Sequence, residues 1–385
     1  MSNVIRVVLL TEIIAPYRIP VFNALARHAG LDLHVIFLAE TDETLREWRV
    51  YKDEIHFSYE ILSSWRWRTQ RNSFLIHRGL WPALNKAKPD VIICGGYSYV
   101  ASWEGLVWAR LHQVQFVLWS ESTHHDARAK WRLVEWLKAW FVRHCDRFVV
   151  PGKSSFEYLG LLGSQSSLIS VAPNAVDNVW FAAQAAIAKS QAAELRQKLD
   201  LPDRFILFVG RLVPEKGVFD LLAAYAKLEN NLRSQVGLVF AGDGVSRDEL
   251  RRQAERISTG TVSFTGFVQR EELAEVYALA ELLVLPTHSD PWGLVVNEAM
   301  ACGLPIIVTS VAGCSPDLVQ DGWNGFIVPP RDNAKLCEAL RPILQSPELR
   351  RQMSTCSLER IQNFSPEACA SGLAAAAIPR SPEAQ

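Results

Sequence analysis

LLVLPTHSDPWGLVVNEAMACGLPIIVT, from Leu282 to Thr309, reads as one strand–helix–strand unit. Leu282–Leu285 is a short apolar run stopped by Pro286, the mark of a buried strand. The polar loop PTHSDPWG follows, and Leu294–Cys302 has the length and apolar content of a helix laid on a sheet. Pro305–Thr309 is a second apolar run of strand length. Two such strands joined by a helix run parallel, because a parallel pair needs a crossover that long.

The same unit recurs on both sides. Strands are expected at Phe205–Val209, Gly237–Ala241 and Val262–Phe264, with helices at Gly217–Leu228, Ser246–Arg256 and Glu271–Ala280. The first half offers strands at Ile5–Leu10, Leu33–Ala39, Val91–Cys94, Phe116–Trp119 and Arg147–Val150, and an amphipathic helix at Pro20–His28. Continuous apolar strands alternating with helices imply α/β architecture, with parallel sheets covered on both faces. A chain of 385 residues exceeds one ordinary core, so two doubly wound, Rossmann-like domains are expected. The first covers residues 1–175 and the second 176–363, with a helix at about 364–378 packing back on the first. PNAVD (Pro173–Asp177) marks the junction, and an Ala-rich helix, Trp180–Leu199, follows it.

Composition narrows the function. Formal net charge is −1, so no global basic field exists for nucleic acid. Seven cysteines occur with no metal-ligand spacing, which suggests reduced thiols in a cytoplasmic compartment and no metal site. Val7–Leu10 is too short for a signal peptide, and no run of 18 apolar residues is present. Eleven of 13 tryptophans and eight of nine histidines lie before residue 181, so the two halves have different tasks.

Ligands of doubly wound sheets bind beyond the carboxyl ends of the strands. Asp290 stands in the loop after one such strand, and Glu298 about one turn into the next helix. Backbone N–H groups at Gly293–Val295 lack helical partners and can face an anion. Carboxylates accept hydrogen bonds from paired sugar hydroxyls. A helix start for phosphate and one acid for each of two sugars suit a nucleotide sugar. The alternative is that Asp290 caps the helix and Glu298 is a solvated face. VGRLVPEKG (Val209–Gly217) adds Gly210, Arg211 and Lys216 in a loop after a strand, two cations fit for a diphosphate or for plain solvation. FAGDG (Phe240–Gly244) and FTGFV (Phe264–Val268) end neighbouring strands on glycines.

These stretches, with DPWGLVVNEAMACGLPIIVTSVAG and PDLVQDGWNGFIVPPRD, resemble in order and spacing the retaining GT-B glycosyltransferases of glycosyltransferase family 4. IAPYRIPVFNALA (Ile14–Ala26) is similar to the opening of members that build bacterial surface polysaccharides. The resemblance implies two domains facing a central cleft and a donor held mainly by the second. Arg211 and Lys216 would neutralise its diphosphate. Glu298 would bind ribose hydroxyls and Asp290 a hydroxyl of the transferred sugar. Gly293 and Leu294 would offer amides, Phe267 and Val268 would lie against the base, and Trp292 would join the donor contacts. Asp290 stands where the family mostly has glutamate, Asp317 where glutamate is common, and Trp292 where phenylalanine is common. The implied mechanism needs no cofactor and no metal.

For the first half, the resemblance implies a catalytic histidine after Phe116–Trp119, against the donor sugar; Glu121, His124 and His125 compete for that place, with Glu121 nearest the strand end and His124 the preferred histidine. Pro16–Arg18 and GGYSY (Gly95–Tyr99) end early strands and would border the site. WRWRTQR (Trp65–Arg71) and the stretch Lys130–His144 combine tryptophan with cations. In the second, Trp136 and Trp140 fall four apart, which suits either a core-facing helix with a solvated rim or contact with an anionic inner-membrane face. The expected activity is transfer of a hexose-type sugar from a nucleotide-diphosphate donor, a uridine nucleotide by preference, to a glycan or lipid-linked acceptor. A nucleotide-sugar-binding module without catalysis and a same-fold isomerase are the alternatives.

Overall fold

The computed structural model describes residues 4–42, 48–68, 73–124 and 132–378. The chain divides into two compact units, residues 1–175 with 365–385, and residues 176–364.

In the first unit, β1 (Ile5–Thr11), β2 (Leu31–Phe37) and β3 (Ser58–Ile61) are followed by a two-stranded antiparallel arm, β4 (Ser63–Arg68) and β5 (Ser73–Arg78). The strands β6 (Val91–Gly95), β7 (Gln115–Trp119), β8 (Arg147–Val150) and β9 (Ile169–Val171) complete a parallel sheet of order β3-β2-β1-β6-β7-β8-β9. Its two faces carry separate apolar cores. Leu9, Val35, Ile93 and Val117 point to one and Leu10, Ile36, Ile92 and Phe116 to the other, as period-2 side chains in a doubly covered sheet must. Helix Pro366–Ala377 belongs to this unit and packs on helix Ile19–Ala26 and on β9. Gly372 lets it close in, since a Cβ there would stand 2.2 Å from the Val171 carbonyl oxygen.

In the second unit, β10 (Phe205–Val209), β11 (Gly237–Ala241), β12 (Val262–Gly266), β13 (Leu282–Leu285), β14 (Ile306–Thr309) and β15 (Gly325–Val328) form a parallel sheet of order β12-β11-β10-β13-β14-β15. Strand order therefore reverses between β10 and β13. At such a reversal the connections leave to opposite faces and open a crevice at the carboxyl ends. The first sheet reverses in the same way between β1 and β6.

One feature departs from the sequence reading and another was left open by it. The Ala-rich segment is two helices, Asn178–Ser190 and Ala192–Lys198, broken at Gln191. Asp177 of PNAVD caps the first, accepting the Trp180 amide at 2.9 Å. Trp65–Arg68 of WRWRTQR lies in β4, where Trp65 pairs with Ile76; residues 69–72 fall outside the described set. The other Trp-rich segment is a helix, Arg132–Arg143, with one side turned to the core. Phe141 is buried and Trp140 stacks on Trp103 at 5.7 Å, while Trp136 is 56% exposed. Among the described residues no helix is long and apolar enough to cross a membrane. All seven cysteines are unbridged and buried.

Candidate active site

The loops that leave β10 and β13, the two strands at the reversal, are pressed together. After β10 the chain turns through Arg211, makes one 3-10 turn at Pro214–Lys216, and enters helix Val218–Ala226 through Gly217. Gly217 has φ 68°, and a Cβ there would stand 1.9 Å from the Pro286 carbonyl oxygen, just past β13. No side chain fits at that place, so the two loops touch backbone to backbone. The Glu215 carbonyl accepts from the His288 amide at 2.8 Å and the Thr287 hydroxyl at 3.1 Å. Gly217→Ala is accordingly expected to cost roughly 3 kcal/mol or more, from left-handed strain plus an overlap that only backbone movement relieves. Chemical denaturation checks this; an unchanged midpoint would contradict the packing described.

A second close approach fixes the other side of the β13 loop. A Cβ on Gly313 would stand 1.8 Å from the Pro291 carbonyl oxygen, and the Gly313 amide donates to Asp290 O at 2.9 Å. Held between the loops after β10 and β14, Asp290 meets Lys216, with Nζ 2.5 Å from Oδ2. Both side chains are more than four-fifths buried. Asp290 does not cap the helix; Gly293 occupies that position and offers no side chain. Helix Leu294–Ala301 therefore begins with the Gly293, Leu294 and Val295 amides unpaired among the described residues. Arg211, at the end of β10, is exposed and makes no ion pair among the described residues. The ingredients of an anion site thus converge at the reversal: a lysine, unpaired helix-start amides and a nearby uncommitted arginine.

Glu298 is half-buried, not a solvated face. Its Oε2 accepts the Tyr277 hydroxyl at 2.7 Å, while Oε1 has no protein partner among the described residues. Burial pushes its carboxyl up to about 7, against the lowering effect of the Tyr277 bond. Phe267 follows β12 on the same sheet edge, 41% exposed, with Val268 half-buried beside it. The Gly210 amide donates to Ala241 O at 3.0 Å and ties the β10 loop to β11.

Trp292 requires correction. Expected among the donor contacts, it is 3% exposed, gives its indole N–H to Asn297 Oδ1 at 2.9 Å, and lies 6.5 Å from the Phe364 ring. It braces the start of the helix from inside. Sequence reasoning also passed over His288. Its Nδ1 takes the Arg331 Nε–H at 3.5 Å, which leaves the Nε2 hydrogen for Asp220 Oδ2 at 2.5 Å. His288 so joins the loops after β10, β13 and β15. Its signal was present in THSDPWG, next to the acid that drew attention.

In the first unit, the loops after β1 and β7 also meet. Arg18 pairs with Glu121 and lies 3.9 Å over the Trp119 ring. The Glu121 carboxylate is thereby engaged. His124 is exposed, and His125 lies outside the described residues. Among the described residues no cluster of His, Cys, Asp and Glu could hold a metal.

Two family models match, one on each half: "Glycosyltransferase Family 4" over residues 21–179 and "Glycosyl transferases group 1" over residues 191–359. The chain is 29% identical over 285 residues to glycogen synthase of Mycobacterium tuberculosis, covering 71% of this chain and 64% of that one. It is 35% identical over 168 residues to alpha-D-kanosaminyltransferase of Streptomyces kanamyceticus, 43% of each chain. The chain thus matches less than two thirds of the length of these relatives. A crystal structure of HepE from Anabaena with UDP-glucose superposes with a TM-score of 0.75 at 18% identity, over 96% of this chain and 98% of that one. The fold is GT-B. With both family models matched in order, the chain belongs to the GT-B glycosyltransferases of family 4 type.

Proposed function

We propose that this protein transfers a hexose-type sugar from a nucleotide-diphosphate donor, a uridine nucleotide by preference, to a glycan or lipid-linked acceptor, with retention of anomeric configuration. The observation that carries the reading is the Lys216–Asp290 pair beside the unpaired amides that open helix Leu294–Ala301. A diphosphate seated there meets the amides and Lys216, with Arg211 on the open side. As the bond from sugar to phosphate breaks, negative charge grows on the leaving diphosphate, and these groups stabilise it more in the transition state than before. Asp290 takes a hydroxyl of the sugar, and Glu298 Oε1 takes ribose hydroxyls. The leaving phosphate accepts the acceptor's proton on the same face of the sugar, so no side chain need act as base there. The resting Lys216–Asp290 pair fits this role, because an incoming diphosphate replaces one anion at Lys216 with another and frees Asp290 for the sugar.

HepE was crystallised with UDP-glucose, and the chain's own site has the charge for such a ligand. Acceptor contacts are assigned to the first domain, and Glu121 or His124, which follow β7, to a place against the donor sugar. A lipid-linked acceptor would bring that domain to an inner-membrane face.

Thermal-shift screening against nucleotide sugars, followed by assay of nucleotide release, tests the reading. A donor at 100 times its Kd is expected to add roughly 2.7 kcal/mol of apparent stability. Release of nucleoside diphosphate with an α-configured product from an α-configured donor supports transfer with retention. Stabilisation without release would leave a binding module, and altered sugar without release an isomerase.

A further inference from the structure

The helix that carries Glu298 packs against helix Arg270–Leu279, and one buried hydroxyl crosses between them. Tyr277 is fully buried, with Phe181 edge-on at 6.3 Å, a slot that phenylalanine would fill equally well. Its hydroxyl donates to Glu298 Oε2 at 2.7 Å and makes no other hydrogen bond among the described residues. The bond fixes one carboxylate oxygen and leaves the other, Oε1, for a ligand. We infer that Tyr277 is a positioning residue for the donor site: its hydroxyl orients the Glu298 carboxylate and holds it in the acceptor form that ribose hydroxyls require. The inference rests on Glu298 as the group that binds those hydroxyls.

Toward the ionised carboxylate the phenol acts as donor. Burial and the adjacent carboxylate keep Tyr277 protonated well beyond the usual phenol range. Glu298 without that donor would hold its proton more tightly, and a protonated carboxyl accepts poorly from a diol. Burial and the Tyr277 bond are the causes that set the Glu298 carboxyl, and several charged groups on the helices around it have partners of their own. Arg270 lies over the Trp180 ring, Glu275 reaches Lys198, Lys189 reaches Cys302 O, Arg350 reaches Glu281 and Arg360 reaches Asp317 O. Cys302, one turn on, stays a neutral thiol because burial pushes it far up. Tyr277 is therefore the group set to tune Glu298.

The test is Tyr277→Phe in the full chain, read as donor KM and kcat across pH with the nucleotide sugar that the thermal screen selects. The expected result is a folded protein whose donor KM rises about tenfold near neutrality, with kcat changed far less. The acid limb of kcat/KM should move to higher pH by about one unit, and the KM defect should shrink in alkali as Glu298 ionises. A purely structural tyrosine would lower the melting temperature and leave KM and the limb in place, which overturns the inference. Should Tyr277→Phe fail to fold, difluorotyrosine at the same position keeps the packing and donates more strongly. It is then expected to move the limb the other way, and an unmoved limb overturns the inference. Glu298→Gln separates the two layers. If that variant binds donor as well as the parent, the reading of Glu298 fails. If it loses donor while Tyr277→Phe keeps the parental pH profile, only the role of Tyr277 fails.

Discussion

Glu298→Gln is expected to lower kcat/KM for the donor by roughly 10²–10⁴, because two hydrogen bonds from a diol to a carboxylate contribute about 1.5–3 kcal/mol each. The same change should stabilise the fold in alkali. In the folded protein the carboxyl ionises at about 7, because burial disfavours its charge. In the unfolded chain it ionises at about 4.3. The folded state thus binds the extra proton between those values. The group's contribution to stability is full below the unfolded value and is lost as pH rises through the folded one. Above neutrality the parent keeps a buried charge that the amide lacks, so the Glu298→Gln variant should melt higher by about 2–6 °C. Near the unfolded carboxyl value the two proteins should melt together. Calorimetry at both pH values, beside donor kinetics, measures this exchange of stability for binding. An active variant, or one less stable in alkali, would contradict the burial and the role assigned here.

Lys216→Ala is expected to reduce kcat by roughly 10²–10³, with a smaller effect on donor KM, since the leaving charge is larger in the transition state than in the bound donor. It also leaves Asp290, more than four-fifths buried, without its cation. Part of the damage is then a misplaced or protonated carboxyl. Lys216→Arg should restore some activity, because charge returns without the point geometry of the ammonium group. Steady-state kinetics with the saturating donor decides the matter. A variant that only raises KM would mean that Lys216 binds ground and transition states alike, and the account of charge stabilisation would fall.

The central strands were legible because they are continuous apolar runs ended by Gly or Pro: β10, β11 and β13 fall where the pattern puts them. Of the edge strands only β12 was placed, at Val262–Phe264. β3 is half-buried and four residues long, β15 sits inside a turn-rich stretch, and β9 has three residues, too few for a period to show. The alternation in WRWR is the period of a strand, but it spans too few residues to stand out beside its tryptophans and cations. Residue types at the site were readable, and so was their order. What brings Lys216 to Asp290 across 74 positions was not, because it rests on two glycines, Gly217 and Gly313, whose neighbours are distant backbone carbonyls. Trp292 misled for the converse reason. An aromatic beside the motif looked like a contact, whereas its indole nitrogen is satisfied by buried Asn297 five residues on. Tyr277 was invisible in sequence, since it lies on the apolar stripe of an ordinary amphipathic helix.

The central claim is that a nucleoside diphosphate binds at the reversal between β10 and β13. A crystal structure with uridine diphosphate tests it most directly. The account predicts phosphate oxygens within about 3 Å of Lys216 Nζ and of the Leu294 amide, with Lys216 drawn off Asp290. A diphosphate bound elsewhere, with Lys216 still on Asp290 and the helix amides untouched, would contradict it.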